Sequence, residues 1–280
     1  TRRDFIARST AVGMAALGAE GLTATCAQAA AGDADMAIAK WSGQGEPDAD
    51  ALKRIAVELT EQAVAGIGGL KRFVSRGDVV WVKPNIGWDR TPELAANTNP
   101  DVVATLVRLC YAAGAKKVKV GDNPCDLAKK SYHSSGIAAA AEAAGAEVVF
   151  LDRRRFRQTA IGGERVKTIP IYPEILECDL VLNVPIIKHH SLARATMCLK
   201  NYMGVIEDRR TFHQAIADCL ADLTRFMKPR VTVLDGIRIL KAHGPKGGNP
   251  ADVELKTAVA AGTDPVALDA WGAELMGLKP

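Results

Sequence analysis

Several motifs that identify common classes of enzyme are missing from this 280-residue sequence. It contains no P-loop pattern, and no GxGxxG follows a predicted strand, which disfavours Walker-type nucleotide binding and a standard dinucleotide site. No pair of histidines, or of glutamate and histidine, has the helical spacing of a tight zinc site. The six cysteines include no C-x-x-C pair. A zinc knuckle and a ferredoxin-type iron–sulfur cluster are therefore disfavoured.

Strong charge imbalance is also absent, since the formal net charge is only +4. Nucleic-acid binding requires a clustered basic face, so no nucleic-acid partner is expected. The densest basic run, residues 153–157, is interpreted as a solvated loop, with an anion-binding edge as the alternative. Hydrophobic residues make up 48% of the chain and charged residues 24%, which is typical of a folded globular protein.

The N-terminal residues have the pattern of an export signal. Arg2 and Arg3 precede a weakly hydrophobic stretch over 9–24, and a small-x-small cleavage site follows at 27–29. The paired arginines indicate a twin-arginine signal peptide over 1–30, with the Tat machinery as partner and a periplasmic or extracellular destination. An ordinary amphipathic helix is the alternative. Because Glu20 interrupts a stretch already short for crossing, no stable membrane span is expected.

Residues 31–47 are interpreted as a linker, and residues 48–280 as an α/β domain. Strands are predicted at 78–82, 117–120, 147–151, 180–185 and 230–234, with helices at 48–64, 100–113, 135–144, partly over 196–222, and at 264–276. Alternation of strands and helices favours a mainly parallel sheet with crossover helices. The strands are continuous apolar runs, which indicates burial on both faces. A second lobe is left open.

Polar side chains collect where these strands end. Ligands of parallel α/β sheets bind outside the carboxyl ends of the strands. The expected substrate-binding residues, a cationic and amide floor for an anion, are Lys83, Asn85, Lys188, Lys200 and Asn201. The expected catalytic residues, for proton transfer or for holding a cation, are Asp122, His189 and Asp235. Neighbours on a strand point to opposite sides, so only one of His189 and His190 is expected to face the site. Each residue taken alone has a turn or capping role as its alternative.

Four segments resemble the domain-of-unknown-function 362 family over residues 50–280. They are Lys83-Pro84-Asn85, Val184 to His190, Leu199 to Gly204, and Asp264 to Asp269. The resemblance implies a loose association with redox chemistry, because some members carry iron–sulfur modules. This chain lacks the clustered cysteines of such a module. The sequence stops soon after a predicted helix, so truncation at the C-terminus is also an expectation.

Two functions are consistent with these observations. The first is an exported enzyme that binds a small anionic substrate at the carboxyl ends of parallel strands. Its cofactor is unknown, and assistance by a divalent metal is left open. The second is a non-catalytic periplasmic binding protein or redox partner. The absence of a recognisable nucleophile motif favours this alternative.

Overall fold

The computed structural model describes residues 34–279. The predicted signal peptide, residues 1–30, lies outside the described residues. Nine described strands form one sheet and two more form a separate ribbon. The strands are β1 Met36–Lys40, β2 Val79–Pro84, β3 Lys117–Val120, β4 Glu147–Val148, β5 Arg157–Ala160, β6 Thr168–Ile171, β7 Leu180–Val184, β8 Ile186–His190, β9 Arg194–Thr196, β10 Thr232–Leu240 and β11 Val253–Gly262.

The main sheet has the strand order β1-β11-β10-β7-β2-β3-β4, with β8 pairing β10 and β9 off this path. Strands β10, β7, β2, β3 and β4 are parallel neighbours, and β8 is parallel to β10. Antiparallel pairs occur at β1–β11, β10–β11 and β8–β9. The ribbon is β5 and β6. The predicted α/β class with a mainly parallel sheet is confirmed.

Helices cover both faces of this sheet. They are α1 Ala49–Gly66, α2 Pro100–Ala113, α3 Ala128–Ser134, α4 Ile137–Ala143, α5 Pro173–Leu176, α6 Cys198–Asn201, α7 Arg210–Gln214, α8 Ile216–Met227 and α9 Pro265–Leu275. Val80 and Val82 of β2 pack in the same core as α1, α2 and α4, whereas Trp81 packs in a second core with α8. This alternation is what a strand buried on both faces requires. None of the helices within residues 34–279 has the length and apolar character for crossing a membrane.

Capping residues set the ends of the two longest predicted helices. The side chain of Asp48 accepts a hydrogen bond from Ala51 N, and that of Asn99 accepts one from Asp101 N. Each satisfies a backbone donor that the first helical turn leaves open. Helix α2 ends at Gly114, whose φ of 115° is the left-handed conformation that glycine adopts without steric cost. Both helices lie within two residues of their predicted bounds.

Three of the differences between the structure and the sequence-based prediction concern the linker, the sheet and the site. Residues 36–40, inside the predicted linker, form the edge strand β1 because their backbone pairs with β11. The strand predicted at 147–151 is hydrogen-bonded as β4 over two residues only. Residues 188–190 lie within β8, because Pro185 ends β7 and the chain resumes pairing beside β10. Lys188 and the two histidines therefore lie on a strand of their own, rather than just after the strand predicted at 180–185.

Asp222 of α8 fixes the loop that joins β5 to β6. Its buried carboxylate accepts hydrogen bonds from the backbone N–H groups of Glu164 (2.9 Å), Arg165 (2.7 Å) and Val166 (2.9 Å). Burial opposes ionisation, but these hydrogen bonds prevail and lower the pKa of Asp222 below its ordinary value.

We expect Asp222→Ala to lower the free energy of unfolding by about 2 kcal/mol, because three backbone donors lose a charged acceptor. Urea denaturation at pH 7 measures the effect. A lowered carboxyl pKa contributes stability above its ordinary value, so the difference from wild type should shrink as pH falls below about 4. Asp218→Ala, at an exposed position of the same helix, should leave the midpoint unchanged. Equal effects of the two substitutions would contradict this role.

Candidate functional site

The candidate site lies where the strand order reverses direction. Strand β2 sits in the middle of the parallel strands, with β3 and β4 on one side and β7 and β10 on the other. Such a switch point opens a crevice at the carboxyl ends of the two central strands, where ligands of this architecture bind. Lys83 and Asn183 are register partners at the ends of β2 and β7. Both side chains are buried.

A buried ion pair forms the base of the site. Lys83 Nζ lies 2.7 Å from Asp122 Oδ1, and both side chains are buried. Nζ also donates to Pro84 O at 2.8 Å and to Asn201 Oδ1 at 3.1 Å. The second Asp122 oxygen accepts from Ile86 N at 2.7 Å. Burial lowers the pKa of Lys83, and the charge of Asp122 opposes that shift.

Asn201 joins this ion pair to the rest of the site. Its Oδ1 accepts from Lys83 Nζ and from Asn85 Nδ2, each at 3.1 Å. Its Nδ2 donates to Lys83 O at 3.1 Å and to Asn183 Oδ1 at 2.8 Å. Because the oxygen accepts two hydrogen bonds and the nitrogen donates two, the orientation of the Asn201 amide is fixed. Asp269 holds the helix that carries it, since its carboxylate accepts from the first backbone N–H groups of α6.

Gly204 allows the chain after α6 to lie directly against the ion pair. A Cβ atom at this position would overlap Asp122 Oδ1 and come within 2.6 Å of Lys83 Nζ. The carbonyl of Gly204 also accepts from Asn123 N at 3.1 Å. The backbone of residue 204 therefore covers one side of the Lys83–Asp122 ion pair.

A cleft of about 320 Å³ opens above these residues. Lys188, Lys200 and Arg209 bring three cationic side chains to its wall. Lys188 Nζ donates to Asn85 Oδ1 at 2.8 Å and to Ala96 O at 2.6 Å. Burial, and then the charge of Lys200, lower the pKa of Lys188 to about 7. Burial lowers the pKa of Lys200 to about 8.

His189 is the histidine that the sequence predicts to face the site. In the structure His190, not His189, lines the cleft. Its Nδ1 accepts from Leu192 N and Ala193 N, both at 3.2 Å, so Nε2 carries the ring proton. Burial and then the charge of Lys200 lower its pKa to about 3, which makes it a neutral hydrogen-bond donor. His189 is instead tied to the loop at Gly244, whose N–H donates to its Nδ1 at 3.0 Å.

Asp235 also lies apart from the cleft-lining residues. Its carboxylate accepts from Asn99 N at 2.7 Å and from Ile237 N at 2.9 Å. Burial raises its pKa to about 6 against the effect of these hydrogen bonds. The carboxylate therefore anchors the N-terminus of α2 to β10. This placement differs from the predicted catalytic position, because β10 continues to Leu240 and Asp235 does not lie at its end.

The structure thus brings six of the eight predicted site residues together. They are Lys83, Asn85, Asp122, Lys188, Lys200 and Asn201. His190 was missed although a sequence signal exists: it lies two residues after Lys188 on one strand and so shares its face. Arg209 and Thr196, which also line the cleft, have no such signal. They lie on irregular or short segments that no periodicity places.

Two buried polar atoms of cleft-lining residues lack a hydrogen-bond partner among residues 34–279. They are Thr196 Oγ1 and Arg209 Nε. Buried polar groups are nearly always paired, so unfilled ones in a cleft wall are typical of a ligand site. Within the described part of the chain, no three His, Cys, Asp or Glu side chains are grouped to hold a metal ion.

Comparison with known proteins gives a family for this arrangement. The family model described as "Domain of unknown function (DUF362)" matches residues 80–274, which span every strand and helix that contributes to the cleft. The chain belongs to the DUF362 family. The family resemblance stated from the sequence motifs is confirmed by this match.

Comparisons with one curated protein and one solved structure show how far the similarity of this DUF362 protein extends. A thylakoid-associated protein of Synechocystis is 28% identical over 76% of this chain and 68% of its own length. The lactate racemase apoprotein from Thermoanaerobacterium thermosaccharolyticum has a similar fold, with a TM-score of 0.51 and 12% identity. That likeness covers 79% of this chain but only 54% of the racemase. It shows the fold alone.

Proposed function

We propose that this DUF362 protein is an enzyme that binds a small anionic substrate in the cleft at the β2–β7 switch point. We further propose that it acts after Tat export, to which Arg2 and Arg3 direct the chain. One observation carries the first proposal. Lys188, Lys200 and Arg209 surround a cleft whose only carboxylate among the described residues, Asp122, is already paired with Lys83.

The charge balance of the cleft favours an anion. Burial removes water from Lys188 and Lys200 and lowers the pKa of each, and within residues 34–279 neither amine forms an ion pair with a carboxylate. A bound carboxylate or phosphate would supply the missing negative charge. The cleft volume of about 320 Å³ lies at the lower end of the range for ligand pockets, roughly 300–1,000 Å³. The ligand is therefore small.

The same residues are suited to proton transfer. A lysine whose pKa is about 7 is present in both protonation states near neutral pH, which is what a general acid–base group requires. Lys188 is therefore the proposed proton carrier. His190 stays neutral and donates through Nε2, so it can stabilise negative charge that develops on a substrate oxygen. Thr196 supplies a further hydroxyl on the cleft wall.

Anion binding should weaken as pH rises. Lys188 and Lys200 are both charged at pH 6 and both largely neutral at pH 9, given pKa values of about 7 and about 8. We expect the dissociation constant of acetate or pyruvate to increase about tenfold or more between these pH values, as the attraction of two charges is lost. Isothermal titration calorimetry measures it.

Two controls accompany this titration. Lys130→Ala, at an exposed position outside the described cleft lining, should bind as wild type does. Acetamide, the neutral analogue of acetate, should bind weakly at both pH values. The proposed anion site would be refuted if acetate bound equally well at both pH values. It would also be refuted if acetamide bound as tightly as acetate. Saturable binding without turnover of any small acid would favour the non-catalytic binding protein.

A further inference from the structure

We propose that Lys200 is a nucleophile that forms an imine with the carbonyl carbon of a small 2-oxo acid bound in the cleft. This inference rests on the proposed function, because the carboxylate of the oxo acid would occupy the anion site. It adds a covalent step and a substrate class to that function.

The three lysines of the site differ in what their amines contact. Lys83 Nζ is fixed by Asp122 and two oxygen acceptors, and Lys188 Nζ by two oxygen acceptors. Lys200 Nζ makes no hydrogen bond or ion pair with any residue in the described range 34–279, although its side chain lines the cleft. An amine without acceptors keeps its lone pair and its rotational freedom available for attack on a substrate. Of these three amines, only that of Lys200 is placed to react.

The position of Lys200 is nevertheless well defined. It precedes Asn201 on α6, and Asn201 is held by four hydrogen bonds. Asp269 fixes the first turn of the same helix. The backbone that carries the amine is therefore rigid, whereas the amine itself is free. This combination is what a positioned nucleophile requires.

The protonation state of Lys200 suits this role. With a pKa of about 8, roughly a tenth of its amine is neutral at pH 7, against fewer than one in a thousand for an ordinary lysine. The charge of Lys200 in turn contributes to the lowered pKa values of Lys188, His190 and His213. These four groups therefore lie close enough to influence one another around one substrate.

Atoms and charges balance in this step when solvent supplies one proton. The lone pair of Lys200 Nζ attacks the carbonyl carbon, and the π electrons move to the carbonyl oxygen. One amine proton passes to that oxygen and gives a carbinolamine. The hydroxyl then takes a further proton from solvent and leaves as water, so that a protonated imine remains. His213 also lines the cleft, and burial and the charges of Lys200 and Arg209 lower its pKa.

Arg209 is the group best suited to hold the substrate carboxylate during this step. A guanidinium presents its donors in a rigid planar fork that matches a carboxylate, so Arg209 can hold the anion while the amine of Lys200 reacts. It lines the cleft, and its Nε lacks a partner among the described residues. Hydrogen bonds to Pro124 O and to Asn123 O fix its terminal nitrogen. Lys200 and Arg209 thus have separate roles.

Borohydride trapping tests the imine. The folded protein is incubated at pH 8 with pyruvate, glyoxylate or oxaloacetate, reduced with sodium borohydride, digested and analysed by mass spectrometry. We expect at least one of these acids to leave a reduced adduct on Lys200, approaching one per chain. Lys200→Arg retains the positive charge but not the nucleophilic amine, and should reduce the adduct at this site at least tenfold. Lys130→Arg, at an exposed position, should trap as wild type does.

Parallel calorimetry with acetate separates the two proposals. Acetate has no ketone or aldehyde carbonyl, so its binding by wild type depends on the anion site alone. If wild type binds acetate but none of the three oxo acids is trapped on Lys200, the imine is refuted and the anion site stands. If wild type binds neither acetate nor any oxo acid, the proposed function itself fails. A thermal midpoint within a few degrees of wild type confirms that Lys200→Arg is folded.

Discussion

Replacement of Asp122 by alanine is expected to lower the free energy of unfolding by about 3–5 kcal/mol, the range for breaking a buried ion pair on one side. The ammonium of Lys83 would remain buried with only neutral oxygen acceptors beside it. Ile86 N would lose its acceptor at the same time. The effect is large because the cost of dehydrating a charge persists after its partner is gone.

Chemical denaturation in urea at pH 7 measures this loss. Asp50→Ala is the matched control, because Asp50 also pairs with a lysine, Lys53, but at an exposed position. Exposed pairs contribute little, so its midpoint should equal that of wild type. The double variant Lys83→Met with Asp122→Leu should recover part of the stability, since it removes both buried charges. If Asp122→Ala were no more destabilising than Asp50→Ala, the Lys83–Asp122 ion pair could not be what stabilises the buried floor of the site.

Gly204→Ala is expected to destabilise the protein by about 3 kcal/mol or more, at the upper end of the cost of overpacking. The new methyl group would overlap Asp122 Oδ1 and crowd Lys83 Nζ. Neither side chain can withdraw, because both are held by hydrogen bonds. The backbone of residues 202–205 must therefore move, and with it the Asn123 hydrogen bond to residue 204. Binding of acetate should be lost together with stability.

Gly87→Ala provides the comparison within the same cleft. A Cβ at residue 87 would meet Asn85 Oδ1 at 3.5 Å and Lys188 Nζ at 3.8 Å, which are ordinary contacts. The unfolding free energy of Gly87→Ala should stay within about 0.5 kcal/mol of that of wild type. Thermal and urea denaturation of the two variants side by side measure the difference. Similar stability of both would show that the chain after α6 does not press on the ion pair.

The placement of Lys83, Asp122 and Lys188 could be predicted from sequence for a physical reason. Apolar runs locate strands buried on both faces, and parallel strands present their carboxyl ends at one edge. A polar residue at the carboxyl end of such a strand is therefore expected to lie in the crevice. Helices α1 and α2 were predictable for a similarly local reason, since Asp48, Asn99 and Gly114 fix their ends.

The rest depends on interactions that no local pattern encodes. Asp235 also follows a predicted buried strand, but β10 continues beyond it and its carboxylate caps α2. Strand β1 is held by pairing with β11, more than two hundred residues later in the chain. Arg209 reaches the cleft from an irregular segment through contacts with residues 123–125. These placements require the tertiary fold to be known first.

The strand order also determines when the site can exist. Val80 of β2 pairs with Leu180 of β7, one hundred residues later in the chain. Loop closure over such a distance is among the slow events of folding. Until β7 and α6 have folded against β2, Asn183 and Asn201 are not in place, and Lys83 lacks part of the structure that buries it. Anion binding is therefore a property of the finished fold, and a chain interrupted before residue 180 would carry the ion pair's residues without the cleft they support.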